Sequence, residues 1–544
     1  MLRALRLGVV CCLAVVTFVN GGGQTARNTD AAKPGAADRA ARAFDAARKS
    51  PPALHAFLEQ MPKGADLHMH LSGAVYAETF LREAQEDHLC VNPIEREFVK
   101  NIGTTRTMPV QPVCPQGTIP AADAFKDQKL YDEVVDSFSM RSFVPSSGIS
   151  GHDQFFATFS RFGGLNKDHA GEWLDEVATR AAAQNEQYLE IMQTPSFSTA
   201  AKLGAETGWS ETTGAAVPEG MDVTGTTPAE LSQLRERLLA AGLRNEIAEN
   251  RAEFDDALAS RRRIEHCGQP EAAAACAVKM RFLYQILRAN SPQQVFAQTL
   301  LGFEVASVDP DVVGLNFVQP EDAFLAMNEY SRQMRMLDYL HSVYPQVHIS
   351  LHAGELASGM VPPAGLRFHI REAIDLGHAE RIGHGVDVME ENDPQALLRE
   401  MASRHVMVEI NLTSNDVILG VTGNMHPLPS YLAAHVPVAL STDDEGVSRI
   451  DLTNEYTRAA LEFNLSYAQL KDMARTGIEH SFLPGQSLWK RPDQHTEVVA
   501  ACAGERMGAQ DRKPACTAFL KASDKAAEEW ELEHRFAVFE STLR

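Results

Sequence analysis

His348-Ile349-Ser350-Leu351-His352-Ala353-Gly354-Glu355 reads as an apolar strand that ends in a histidine, turns at a glycine and brings a carboxylate back over the same end. The glycine frees the backbone to turn. A glutamate partly buried there gains a raised pKa and is fit to carry a proton. Read alone, the same residues make a loop glutamate facing solvent. The surroundings decide between the two. Short β-like runs recur at Ala65–His70, Tyr188–Met192, Val278–Leu287, Val312–Phe317, His348–His352, Arg381–His384, Val406–Leu412 and Val436–Ser441. Amphipathic stretches lie between them, among them Glu172–Gln184, Glu321–Val343, Arg367–Leu376 and Pro394–Ser403. Eight strands alternating with helices predict an α/β fold, a closed (β/α)₈ TIM barrel. The stretches 90–150 and 196–277 interrupt the rhythm and read as insertions. A long charged helix is expected around Leu231–Ile264, and a C-terminal helical extension over Asp524–Leu543.

Three further constellations sit at strand ends. In Asp66-Leu67-His68-Met69-His70, residues two apart on a strand face one side, so both imidazoles can reach one metal. Arg381-Ile382-Gly383-His384-Gly385 sets a histidine between glycines, which permits close approach. Ala439-Leu440-Ser441-Thr442-Asp443-Asp444 ends in two carboxylates that a cation or a proton must relieve. Each has an ordinary reading: polar residues on a wet face, a satisfied turn histidine, a helix N-cap. Together, three histidines and an aspartate at the ends of apolar runs suit a catalytic zinc that keeps a position for water. Barrel enzymes build their sites at those ends.

The chain has 544 residues, 44% apolar and 22% charged, with a formal charge of −22. That composition is globular. The charge argues against nucleic acid or an anionic membrane surface as the main partner. Arg3 and Arg6 precede an uncharged run from Leu7 to Val19, then Asn20-Gly21-Gly22-Gly23. The run is too short to span a membrane and fits a signal peptide. We therefore expect a signal over 1–23, a flexible leader over 24–50 and one enlarged barrel domain over 51–544. The protein would be exported, periplasmic or secreted, with no stable membrane anchor. Cys90, Cys114, Cys267, Cys276, Cys502 and Cys516 remain after the signal and fall into three close pairs, expected as disulfides.

The segment Met61–Gly73, with its Asp66-Leu67-His68-Met69-His70, resembles the opening motif of the adenosine deaminase family. Ser350–Glu355, Arg381–Gly385 and Ser441–Asp444 resemble its other three motifs in order, and Asn411-Leu412-Thr413-Ser414-Asn415 its seventh-strand end. The resemblance runs from about Met61 to Phe482. The signal, cysteines and inserts are similar in outline to the secreted adenosine deaminase-related growth factor branch.

This resemblance implies that His68, His70, His352 and Asp443 bind one Zn²⁺ per chain. Zinc makes hydroxide available near neutral pH. His384 would orient and deprotonate the attacking water, assisted by Asp443. Glu355 would protonate purine N1, and Asp444 would hydrogen-bond N7. The expected partner is a small-molecule purine, and oligomerisation is left open. Two positions depart from the family. Ser72 stands where an aspartate usually meets the ribose. In Gly314-Leu315-Asn316-Phe317-Val318-Gln319-Pro320-Glu321, Gln319 replaces a glycine that contacts the purine. His70, Ser72, Gln319 and Asp444 are thus the expected substrate contacts, with adenosine, deoxyadenosine, adenine or a modified aminopurine as substrate. Two rival classes stand beside this: a metal-dependent amidohydrolase on another substrate, and a non-catalytic binding protein on a deaminase scaffold.

Overall fold

Runs of branched and aromatic residues form the barrel strands, because strands of a closed parallel sheet are covered on both faces. The computed structural model describes residues 35–100, 113–146, 148–165, 167–207 and 227–543. The expected signal over 1–23 lies outside them, as do 101–112, 147 and 208–226 of the expected insertions. The strands are β1 (Gly64–His70), β2 (Glu186–Gln193), β3 (Lys279–Leu287), β4 (Val312–Val318), β5 (His348–Ala353), β6 (Arg381–His384), β7 (Met407–Ile410) and β8 (Val438–Leu440). They pair in chain order, all parallel. A parallel bridge between Met69 and Asp443 closes the ring. The backbone N–H of Asp443 donates to the His68 carbonyl (2.8 Å), and that of His70 to the Asp443 carbonyl (3.2 Å). Closure therefore falls on the residues expected to hold the metal. The Asp66 carboxylate reinforces it, accepting the backbone N–H (3.0 Å) and hydroxyl (2.6 Å) of Thr442.

Helices such as Ala170–Ala183, Pro292–Ala306, Tyr330–Val343 and Pro394–Arg404 alternate with the strands. Three expectations change. The leader is not loose throughout, since Ala36–Ala47 is a helix. Its buried Phe44 meets Phe57 edge-on, ring centroids 5.7 Å apart. The long charged helix is two, Pro228–Ala240 and Ile247–Ile264, broken at Gly242, whose φ of 98° is left-handed. The amphipathic stretch from Glu321 becomes helical only at Phe324, and Glu321 itself is buried before it. Residues Ala36–Arg544 form one unit.

The first insertion carries a small antiparallel sheet of Cys90–Asn92, Glu97–Val99 and Ile119–Pro120. Its core includes Phe80, Phe98, Phe138, Phe155 and Phe162, and also Ile418 and Val447 from the barrel mouth. The helix Gly151–Arg161 starts at a reciprocal Ser150/Asp153 cap and crosses that mouth. Disulfides join Cys90 to Cys114, Cys267 to Cys276 and Cys502 to Cys516, as the spacing predicted. The C-terminal helix, Asp524–Thr542, lies at the opposite end of the barrel. There Glu528 accepts from Gln187 (2.7 Å), and Arg535 donates to the Glu186 carbonyl (3.1 Å).

Candidate metal and active site

The C-terminal ends of β1, β5 and β8 bring His68, His70, His352 and Asp443 into one buried group. The Nε2 atoms of His70 and His352 face each other at 3.2 Å. Asp443 Oδ1 stands 3.1 Å from Nε2 of His70 and 3.4 Å from that of His68. Each Nδ1 is held from behind. Glu409 Oε2 lies 2.6 Å from Nδ1 of His68, Asn316 Oδ1 2.6 Å from that of His352, and the Gln285 amide 2.6 Å from that of His70. Outer partners on one ring nitrogen and convergence of the other are the pattern of metal-ligating histidines. His68 Nε2 is buried and has no hydrogen-bond partner. The residues fit a metal ion, and the donor set suits zinc. Glu409, Gln285 and Asn316 were not singled out from sequence. Their only signal is a polar residue at an inward strand position.

Gly383 explains one glycine of the Gly-His-Gly motif. A Cβ there would lie 2.5 Å from Cε1 and 2.8 Å from Nδ1 of His68. Gly383→Ala should therefore displace the His68 ring and weaken zinc binding by about 10-fold or more. Competition with a chromogenic chelator measures this, and parental affinity would refute it.

Glu355, His384 and Asp443 form a second buried group on the same mouth. His384 Nε2 is 3.7 Å from Glu355 Oε1 and 3.9 Å from Asp443 Oδ2. Ser414 donates to Asp443 Oδ2 (2.6 Å). Burial, then the Asp443 charge, push the Glu355 carboxyl well above its ordinary value. Glu321 accepts the backbone N–H groups of Gly354 (3.1 Å) and Glu355 (2.8 Å) and so fixes the turn that returns Glu355. Against burial, the charge and hydrogen bond of His369, with Arg288, bring Glu321 down to about 2. The two neighbouring carboxyls are thus pushed in opposite directions, Glu321 toward the anion and Glu355 toward the acid.

Asp444 Oδ1 is buried without a partner, and Gly73 leaves room for it, since a Cβ there would sit 1.5 Å away. Burial, then the neighbouring Asp443, raise the Asp444 carboxyl. Asp444, Ser72, His70 and Gln319 all line a cavity of about 460 Å³ that reaches Glu355, His352 and Asp443. Gln319 does not extend its amide oxygen to a ligand there. Its Oε1 accepts the backbone N–H of Ala289 (2.9 Å), and its own φ is 91°. His384 and Asp443 also take left-handed φ values, 69° and 61°. Backbone strain of this kind gathers at functional sites. Phe155, Phe156 and Phe159 of the mouth helix form the cavity's apolar wall. That helix begins just past the insertion expected over 90–150, and nothing in the sequence assigned it to the site.

A parallel eight-stranded barrel with this buried group at its C-terminal strand ends defines the class, a metal-binding (β/α)₈ barrel. Residues 263–491 match the family model described as adenosine deaminase. Adenosine deaminase of Escherichia coli (strain SE11) is 38% identical over 140 residues, 26% of this chain and 39% of that protein. The match thus spans well under half the length of that curated relative. Among solved structures, a Zn-bound amidohydrolase from Burkhoderia ambifaria is similar in fold, with 16% identity, a TM-score of 0.51 and coverage of 90% of this chain and 94% of that one. The N6-methyl-AMP deaminase from Arabidopsis thaliana has 20% identity and a TM-score of 0.49, over 79% of this chain and 94% of its own. Over these residues the chain is similar to the adenosine deaminase family.

Proposed function

We propose that the protein is a zinc-dependent hydrolytic deaminase of an uncharged aminopurine, a nucleoside such as adenosine or a related base. One observation carries the reading. A single cavity is lined by His70, His352 and Asp443 of the His/Asp group, by the buried Glu355 and by Asp444, whose Oδ1 has no partner. When bound by His68, His70, His352 and Asp443, one zinc per chain would polarise water and make hydroxide available near neutral pH.

The side chains do the rest. Glu355 gives its proton to ring N1, which makes C6 electrophilic. The water oxygen bonds to C6, between His384 and Asp443. The amino nitrogen takes the first water proton and leaves as ammonia. The second returns to Glu355 as the C6 carbonyl forms, giving inosine or the corresponding oxo-purine. Asp444 meets N7, and the three phenylalanines exclude bulk water. Residues 1–23 are read as an export signal. The three disulfides support an oxidising destination.

No lysine or arginine lines the cavity among the described residues. A phosphate would lose its hydration there with no cation to replace it. A panel of adenosine, deoxyadenosine, adenine, N6-methyladenosine and AMP, read by ammonia release, tests this. Adenosine or another uncharged member should exceed AMP by about 100-fold or more in kcat/KM, a loss of roughly 3 kcal/mol. Preference for AMP would overturn the substrate class. Failure of zinc-loaded protein to release ammonia from any member would overturn deamination.

A further inference from the structure

The hydrogen bonds behind His384 have a fixed direction, and a backbone amide sets it. Leu428 N–H can only donate, and it donates to Nδ1 of His426 (3.1 Å). The proton of neutral His426 is therefore on Nε2, which lies 3.0 Å from Asn415 Oδ1 and donates to it. That turns the Asn415 Nδ2 group toward His384, 2.9 Å from its Nδ1. An amide N–H₂ can only donate, so His384 Nδ1 is an acceptor; the Asn411 Nδ2 group, 3.5 Å from both ring nitrogens, is too far and too evenly placed to decide between them. His384, Asn415 and His426 are all buried, so water does not compete for these bonds.

We propose that Asn415 and His426 are positioning residues that hold His384 as its Nε2–H tautomer, so that it presents a donor to the space between Glu355 and Asp443. The consequence for turnover rests on the deaminase reading. The tautomer does not. Both rings are buried, and each Nδ1 accepts a hydrogen bond, as only an imidazole without its second proton can. A neutral Nε2–H has no lone pair facing the site. His384 then steadies negative charge on the attacking oxygen by donating to it and does not take the water proton. That proton passes to Asp443 Oδ2, the other acceptor beside His384, and from there to the departing amino nitrogen. This differs from the base role implied for His384 by the family resemblance.

The test is ¹H–¹⁵N NMR of zinc-loaded protein carrying ring-labelled histidine, with the His384 signal assigned by its loss in His384→Gln. The expected result is a protonated Nε2 and a bare Nδ1. A proton on Nδ1 in the parent protein overturns the proposal, whatever the variants do. Asn415→Asp reverses the direction, because a carboxylate accepts from both neighbours. It should move the His384 proton to Nδ1, keep zinc, leave KM within about 3-fold and lower kcat by ~100-fold or more, as wrong-tautomer histidines do elsewhere. A moved proton with parental kcat would overturn the catalytic consequence. Should no aminopurine be turned over, the deaminase reading fails while the NMR result still decides the tautomer.

Discussion

Glu355→Gln is expected to keep its zinc and its fold and to turn over about 10²–10⁴-fold more slowly, the span of a lost general acid. The amide has the size of the acid but no proton to give N1. Folding should survive, because Glu321 holds the turn through the backbone N–H groups of Gly354 and Glu355 and not through the Glu355 side chain. Zinc should survive because Glu355 is outside the group of His68, His70, His352 and Asp443. The pH profile gives a second readout. Burial, then the Asp443 charge, raise the Glu355 pKa, so the acid form persists above the ordinary carboxylate range. The reactive state is the protonated one, and the parent rate should fall as pH rises through that raised pKa. The residual rate of Glu355→Gln should lack this alkaline limb. A variant with near-parental kcat, or one that keeps the limb, would remove Glu355 from the acid role. Loss of zinc in the variant would mean that Glu355 supports the metal group instead.

Much of this was legible because a parallel barrel writes itself plainly. The strands are covered on both faces, so apolar runs such as Leu351 with its neighbours stand out even where periodicity is weak. Polar residues at the ends of such runs are conspicuous for the same reason, which is why His68, His70, His352, His384, Asp443 and Asp444 could be chosen one by one. What escaped depends on partners distant in the chain. Nothing near Glu409 announces that it will meet His68, and nothing near Met69 that it will bridge to Asp443. Helix breaks were lost for local reasons. The charged pattern of 231–264 continues smoothly through Gly242, and only its left-handed backbone divides the helices. The leader helix hides its burial in Ala40 and Phe44, too few apolar residues to distinguish from a loose segment. Gln319 shows the limit most clearly. The replaced glycine was visible, yet the direction of the new side chain, toward Ala289, is a property of the folded loop.

Glu409→Leu should destabilise the protein by about 3–5 kcal/mol, because it strands a buried arginine. Both partners are fully buried. Glu409 Oε1 accepts from Arg381 Nε (2.6 Å) and the Ser350 hydroxyl (2.9 Å), while Oε2 meets His68 Nδ1. Arg381 keeps a second carboxylate, Glu190, at 2.7 Å, and its guanidinium lies 3.9 Å from the centre of the Phe482 ring. Glu190 alone must then balance the charge, and the expected loss sits at the low end of that range if it does so well. The same substitution leaves His68 without its outer partner, so zinc affinity should fall by a further ~10–100-fold. The two effects separate experimentally. Urea midpoints with excess chelator report the ion pair alone, and zinc titration of the folded variant reports the ligand. The pH dependence has a definite sign. Burial opposes ionisation of Glu409, but Arg381 and then His68 outweigh it and hold the folded pKa below the ordinary value. The stabilisation is therefore present above the unfolded pKa and lost as pH falls through the folded one. The gap between parent and variant midpoints should narrow in acid. An unchanged midpoint at neutral pH would mean that Arg381 is satisfied by Glu190 and Phe482 alone, and that the Glu409 carboxylate serves only His68.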